Sequence, residues 1–315
     1  MRHLWIGVLV AAVGFGCCAM AEDEGPAAGK KIAEEGAARA ALEPGAGSAV
    51  ERAPVEAAPD PCRTTETAAS PNRPNWTTGT ATTQCGVVES DFGWLWQPMG
   101  SGVVQEMLPA SVRYGVTPRL QLRWGLSLGM TQNGGGTPAL SGASDQWLSG
   151  MYRFVEQGPR APALAFSYGF KIPTANPQKG FGSGYVDHQL TLIASRDVRW
   201  MHFDFNAVET LAGSAAGYGG AAQFGLALSV PVTKRLTGVV ESDGGSQPGT
   251  PDRFGQALGG VSWVVRPSLV LDAGYTRAYT AGSPRQQFTA GFTYAQRPKN
   301  LVRASGYGLG RLLGK

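Results

Sequence analysis

The chain has 315 residues and a formal net charge of +4; 45 residues are glycine and only 16% are charged. That positive balance is too mild to argue for nucleic acid as a partner. So much glycine beside so few charges also departs from the make-up of an average soluble domain.

In chain order, the first predicted element is an export signal. MRHLWIGVLVAAVGFGCCAMAED has Arg2 in a short basic region, an apolar run from Leu4, and Ala19-Met20-Ala21 as a cleavage site. Residues 1–21 therefore read as a secretory signal peptide, and beyond them no apolar run is long enough for a spanning helix. Residues 22–75 are rich in Ala, Pro, Glu and Gly and almost devoid of large apolar side chains. Such a stretch cannot bury enough surface to offset its ordering entropy, so a disordered periplasmic leader is expected there. Past the signal only Cys62 and Cys85 remain. In an oxidising compartment they are expected to pair, closing a loop of about two dozen residues and contributing roughly 3 kcal/mol on the chain-entropy view.

From Cys85 the pattern changes to period two, the signature of β-strands whose successive side chains point to opposite faces. GVVESDFGWLW places Val88, Phe92, Trp94 and Trp96 opposite Glu89 and Asp91. LPASVRYGV sets Leu108, Val112 and Tyr114 against Ser111 and Arg113, and LQLRWGLSLG alternates Leu and Trp with Gln, Arg, Gly and Ser. WLSGMYRF is less regular, although Leu148, Tyr152 and Phe154 oppose Ser149 and Arg153. APALAFSYGFKI, HQLTLIAS, MHFDFNA, AQFGLALSV, LTGVVES, ALGGVSWVV, LVLDAGYT and QFTAGFTYA continue the series. About twelve strands result.

The segments between these strands alternate short and long: TPR, EQGPR, SRDVR, PVTKR and RPS against QPMGSGVVQE, TQNGGGTPALSGASD, PTANPQKGFGSGYVD, LAGSAAGYGG and DGGSQPGTPD. Outer-membrane barrels have short periplasmic turns and longer external loops, and an even strand number leaves both ends on the periplasmic side. A β-sandwich gives no reason for such alternation. Trp94, Trp96, Trp124, Trp200, Trp263 and Tyr294 lie near strand ends on the apolar face, as interfacial girdles require. The expected fold is all-β: a transmembrane antiparallel up-and-down β-barrel over residues 76–295, followed by a basic C-terminal tail over 296–315. Gly125, Gly169, Gly225, Gly274 and Gly291 fall on the inward face, where space is short.

The same parity aims Glu89, Asp91, Arg113, Arg123, Arg153, Lys171, His202, Asp204, Glu241 and Asp272 into the lumen. Such a set can orient a small solute along a polar pathway, or it can salt-bridge into a plug that holds the barrel shut. Barrel hydrolases of protease or lipase type require a His near a Ser nucleophile or an Asp that activates water. His202 and Asp204 share a face and suit that role in part, while His188 falls on the lipid side with no Ser partner. No metal-ligand spacing occurs, and no catalytic residue, metal or cofactor is assigned. A closed barrel with a tethering role for the leader is the third reading.

RPNWTTGTATTQCGVVESDFGW, YGVTPRLQLRWG, SGMYRFVEQG, LSVPVTKRLTGVVES and VVRPSLVLDAGYTRAYT together resemble the family named for a meta-pathway of phenol degradation, over roughly residues 71–295. That resemblance implies an outer-membrane barrel, inserted by the assembly machinery, that passes small hydrophobic or aromatic solutes across a bacterial outer membrane. The chain departs from barrels of this kind at its end. Tyr294 is followed by AQRPKNLVRASGYGLGRLLGK instead of a terminal aromatic.

Overall fold

The computed structural model describes Cys62, residues 66–246 and residues 253–298. The signal peptide, most of the leader and nearly all of the basic tail lie outside the described residues. Thirteen strand segments form a single antiparallel sheet. They are β1 (Val88–Gly100), β2 (Val103–Gly115), β3 (Leu120–Gly134), β4 (Thr137–Gly142), β5 (Gln146–Val155), β6 (Ala163–Ile172), β7 (Asp187–Val198), β8 (Met201–Ser214), β9 (Gly217–Pro231), β10 (Leu236–Ser246), β11 (Arg253–Arg266), β12 (Leu269–Ala278) and β13 (Gln286–Gln296).

Twelve staves close the wall. β4 and β5 are two pieces of one stave: β4 pairs with the far end of β3 (Met130↔Gly142), and β5 pairs with its near end (Leu120↔Tyr152 to Gly125↔Trp147). Closure comes from β1 against β13, from Val88↔Gln296 to Trp96↔Phe288. Around the closed circuit the ladder donors meet acceptors within the wall, as a hydrocarbon surround demands, while the second edge of β4 pairs with no described strand.

The outward face carries the large apolar side chains. Leu122, Leu128, Leu192, Phe224 and Leu226 are each more than half exposed, whereas Gln121, Asp204, Asn206, Glu241 and Thr293 on the opposite face are buried. A soluble protein hides its leucines and shows its acids; this wall does the reverse, which fits acyl chains outside and a polar lumen within. His188 faces outward as its parity predicts, with Tyr168 Oη 2.8 Å from Nδ1 and Tyr218 Oη 3.3 Å from Nε2.

Two expectations need correction. The first concerns the long connections, most of which are strand. QPMGSGVVQE is the top of a hairpin whose turn is Ser101-Gly102, TQNGGGTPALSGASD turns at Gly135-Gly136, and LAGSAAGYGG turns at Ala215-Ala216. Gly134, Gly135 and Gly136 all have positive φ, so the tight turn needs glycine and the flanking residues are free to pair. Among the expected long connections, 173–186, with a 3-10 turn at Pro177–Lys179, and 279–285 remain loops in the described residues. The second concerns the leader. The composition of residues 66–75 predicts disorder, but they pack against the inner wall.

Candidate functional site: a strapped lumen

Residues 66–87 form a strap inside the barrel, near the end that carries the short turns. Its hydrogen bonds trace a circuit around the wall. The Ser70 N–H donates to Glu89 Oε1 at 2.9 Å, and the Ser70 carbonyl accepts from Arg113 Nη2. Arg73 reaches β12 and β13, with Nε 3.3 Å from Asp272 Oδ1 and Nη2 donating to Thr289 Oγ1 at 2.6 Å. The N–H groups of Trp76 and Thr77 donate to the Glu241 carboxylate of β10 at 2.9 and 2.6 Å. Thr78 exchanges two bonds with Asn206 of β8, and Thr80 N–H donates to Ser195 Oγ of β7. The strap then crosses to β3, where Thr83 N–H donates to Gln121 Oε1, and returns to β1. Cys62 and Cys85 are bonded, so the two ends of the circuit are joined covalently.

Several inward glycines belong to this arrangement. A Cβ at Gly274 would sit 3.1 Å from the Cβ of Pro74, one at Gly260 would sit 2.7 Å from Pro74 Cγ, and one at Gly291 would meet Arg73. These positions are small because a second backbone runs across them.

The ten inward residues named from the sequence all lie on the lumen side, but they do not form one cluster. Arg113 is fully buried and pairs with Glu89 (Nη2–Oε2, 2.9 Å) and Asp91 (Nε–Oδ2, 3.0 Å), so this triad is a buried ion network. Lys171 lies toward the opposite end, 2.5 Å from Asp187 and 3.6 Å from Asp145, where loop 173–186 packs. Arg153 lies at the short-turn rim, paired with Glu156 at 3.2 Å. Asp272 and Glu241 are strap anchors. Arg123 stands apart from all of them.

His202 is held between two carboxylates, Nδ1 2.6 Å from Asp197 and Nε2 3.1 Å from Asp204. Ser195 Oγ donates to Asp204 and not to the imidazole. The triad geometry requires the hydroxyl to donate to the histidine and the carboxylate to orient it from the far side. No group of three or more His, Cys, Asp or Glu side chains suited to a metal occurs among the described residues.

Above the strap lies a cavity of about 600 Å³, floored by Asn72–Trp76 and walled in part by Leu95, Met107, Trp147, Met151, Ile193 and Val208. These apolar residues face inward and are the part of the site that alternation did not single out. Met151 is what made WLSGMYRF irregular, and Leu95 interrupts the polar face of β1 just as Ile193 does that of β7. An apolar residue on the polar parity was the available signal.

No protein-family model and no curated protein sequence matches the chain. Solved structures do resemble it. An outer membrane channel from Pseudomonas putida F1 superimposes with a TM-score of 0.53 at 11% identity, over 72% of this chain and 99% of that one. The fold is that of a closed twelve-strand antiparallel outer-membrane-type β-barrel. The porin NanC (TM-score 0.46, 10% identity, 66% of this chain and 98% of that one) and the Ralstonia pickettii toluene transporter TbuX (0.39, 10%, 70% and 92%) are more distant in shape. The barrel that the sequence resemblance implied is therefore the one observed.

Proposed function

We propose that the protein resides in a bacterial outer membrane and passes small hydrophobic solutes, aromatic ones among them, through its lumen. The observation that carries this reading is a group of apolar side chains set into a cavity wall that is otherwise mostly polar. A general porin presents a polar, water-filled interior, whereas here Leu95, Met107, Trp147, Met151, Ile193 and Val208 face inward around a space within the ~300–1,000 Å³ range of small-molecule sites. Removing apolar surface from water is worth about 25 cal/mol per Å², so such a lining selects solutes that a watery pore does not favour.

The strap supports a second reading, a barrel held closed, because its anchors take up much of the short-turn end. Toluene flux into proteoliposomes separates the two. Under the transport reading, flux exceeds that of protein-free vesicles and falls several-fold when Met151→Asp places a charge in the apolar wall. Under the closed reading, both proteins match the protein-free rate. The residues around His202 support no hydrolase, since Ser195 is committed to Asp204.

A further inference from the structure

Among the described residues, most charged groups along the lumen have a committed partner; Asp243 is held only by the amides of Gln223 and Gln256, at 3.5 and 3.3 Å, and Arg123 by none. Asp91 accepts from Ser111 and Arg113 on Oδ2 and from Arg113 and Thr293 on Oδ1, which fills the roughly four lone-pair directions of a carboxylate. Glu89 is taken by Arg113, Ser70 and Thr83, and Asp272 by Arg73. Arg123 lines the cavity, yet its guanidinium makes no hydrogen bond or ion pair among the described residues. Asp91 acts on it only through space, as do the cations Arg113 and Arg73.

The surroundings of Arg123 leave room and supply a wall. On the inner face it stands opposite Ser149 of β5, and Trp147 stands opposite Gly125, two residues along β3. Gly169 faces Ser149 from the next strand. Arg123 and Trp147 thus line the same cavity beside two glycines and a serine, together with the apolar Met107 and Met151. Arg123 is exposed to the lumen, and a guanidinium fork without a protein acceptor matches a carboxylate in a bidentate manner.

Resting on the transport reading above, we infer that the lumen holds a specific site for a small organic carboxylate with an aromatic or aliphatic body, bound through its carboxylate to Arg123 and stacked through its body on Trp147. The solute class is then narrower than hydrophobic molecules at large: it is amphipathic, with one anionic end.

Calorimetric titration of the full-length protein in detergent with benzoate and with its uncharged isostere benzamide tests this. Benzoate is expected to bind the native protein at least tenfold more tightly than benzamide. Arg123→Gln should abolish that preference without changing benzamide affinity, and Arg123→Lys should restore part of it. Trp147→Ala should weaken both ligands. The inference is overturned if benzoate fails to bind, if benzamide binds as well as benzoate, or if Arg123→Gln and Arg123→Lys both leave the preference intact. Toluene flux into proteoliposomes is measured in parallel. Flux above the protein-free rate with no benzoate preference sinks the carboxylate site alone, while absence of any flux sinks the transport reading itself.

Discussion

Glu241 is the anchor at which the strap is most exposed to a single change. Its carboxylate accepts from the Trp76 N–H, the Thr77 N–H and the Thr77 hydroxyl, and it is buried. Hydrogen bonds to a charged group contribute about 1.5–3 kcal/mol each, so the three together hold the middle of the strap with roughly 5–9 kcal/mol before coupling is considered. Glu241→Ala removes all three acceptors and strands two backbone donors that then need water. The remaining ties, Arg73 to Asp272 on one side and Thr80 to Ser195 on the other, keep the ends in place while the arc between them lifts. Single-channel recording in planar bilayers should show a larger conductance for Glu241→Ala. Glu241→Gln, which keeps one acceptor oxygen without the charge, should fall between it and the native protein. Equal conductance for all three, with the variants correctly inserted, would refute the idea that the strap limits the bore.

Other outcomes follow from the same contacts. Arg113→Met leaves Glu89 and Asp91 buried without their cation, so the barrel should lose about 3–5 kcal/mol, read as a lower denaturation temperature in heat-modifiable gel mobility; adding Glu89→Gln and Asp91→Asn should recover most of it. Cys85→Ser opens the covalent circuit of the strap and should cost roughly 3 kcal/mol, with protease cleavage at Arg73 faster than in the native protein and the barrel strands still protected. Gly274→Val pushes a side chain into Pro74, whose Cβ already lies 3.1 Å from where a Cβ would sit. It should raise conductance as Glu241→Ala does, because it displaces the strap by bulk instead of by lost bonds.

Much of this architecture was legible in the residues. A barrel wall has two environments that alternate along each strand, so parity alone places Glu89, Arg113, Asp204, Glu241 and Asp272 on the lumen side. The strand count was legible for the same reason. The hairpin extensions were not, because a stretch such as QNGGGTPALSG, from Gln132 to Gly142, reads as loop by its glycine content even where its residues pair, as Gln132↔Leu140 and Gly134↔Thr137 do. Nor was the strap. It is fixed mainly by its own backbone N–H groups reaching wall side chains such as Glu241 and Gln121, and a backbone donor leaves no trace in a sequence. Two indirect signs existed: glycines aligned on the inner face at 274 and 291, and an inward Glu241 with no cation of matching position. The isolation of Arg123 is a matter of which partners Asp91 has already accepted, which only a three-dimensional arrangement can decide.

The sidedness of the wall supports everything above it, and paired spin labels test it directly. A nitroxide at Leu122 or Leu128 should collide with oxygen and escape a water-soluble nickel chelate in reconstituted bilayers. One at Gln121 or Ser127 should show low oxygen collision. Indistinguishable, water-like accessibility at all four positions would contradict a barrel with lipid outside and a strapped, solute-passing lumen within.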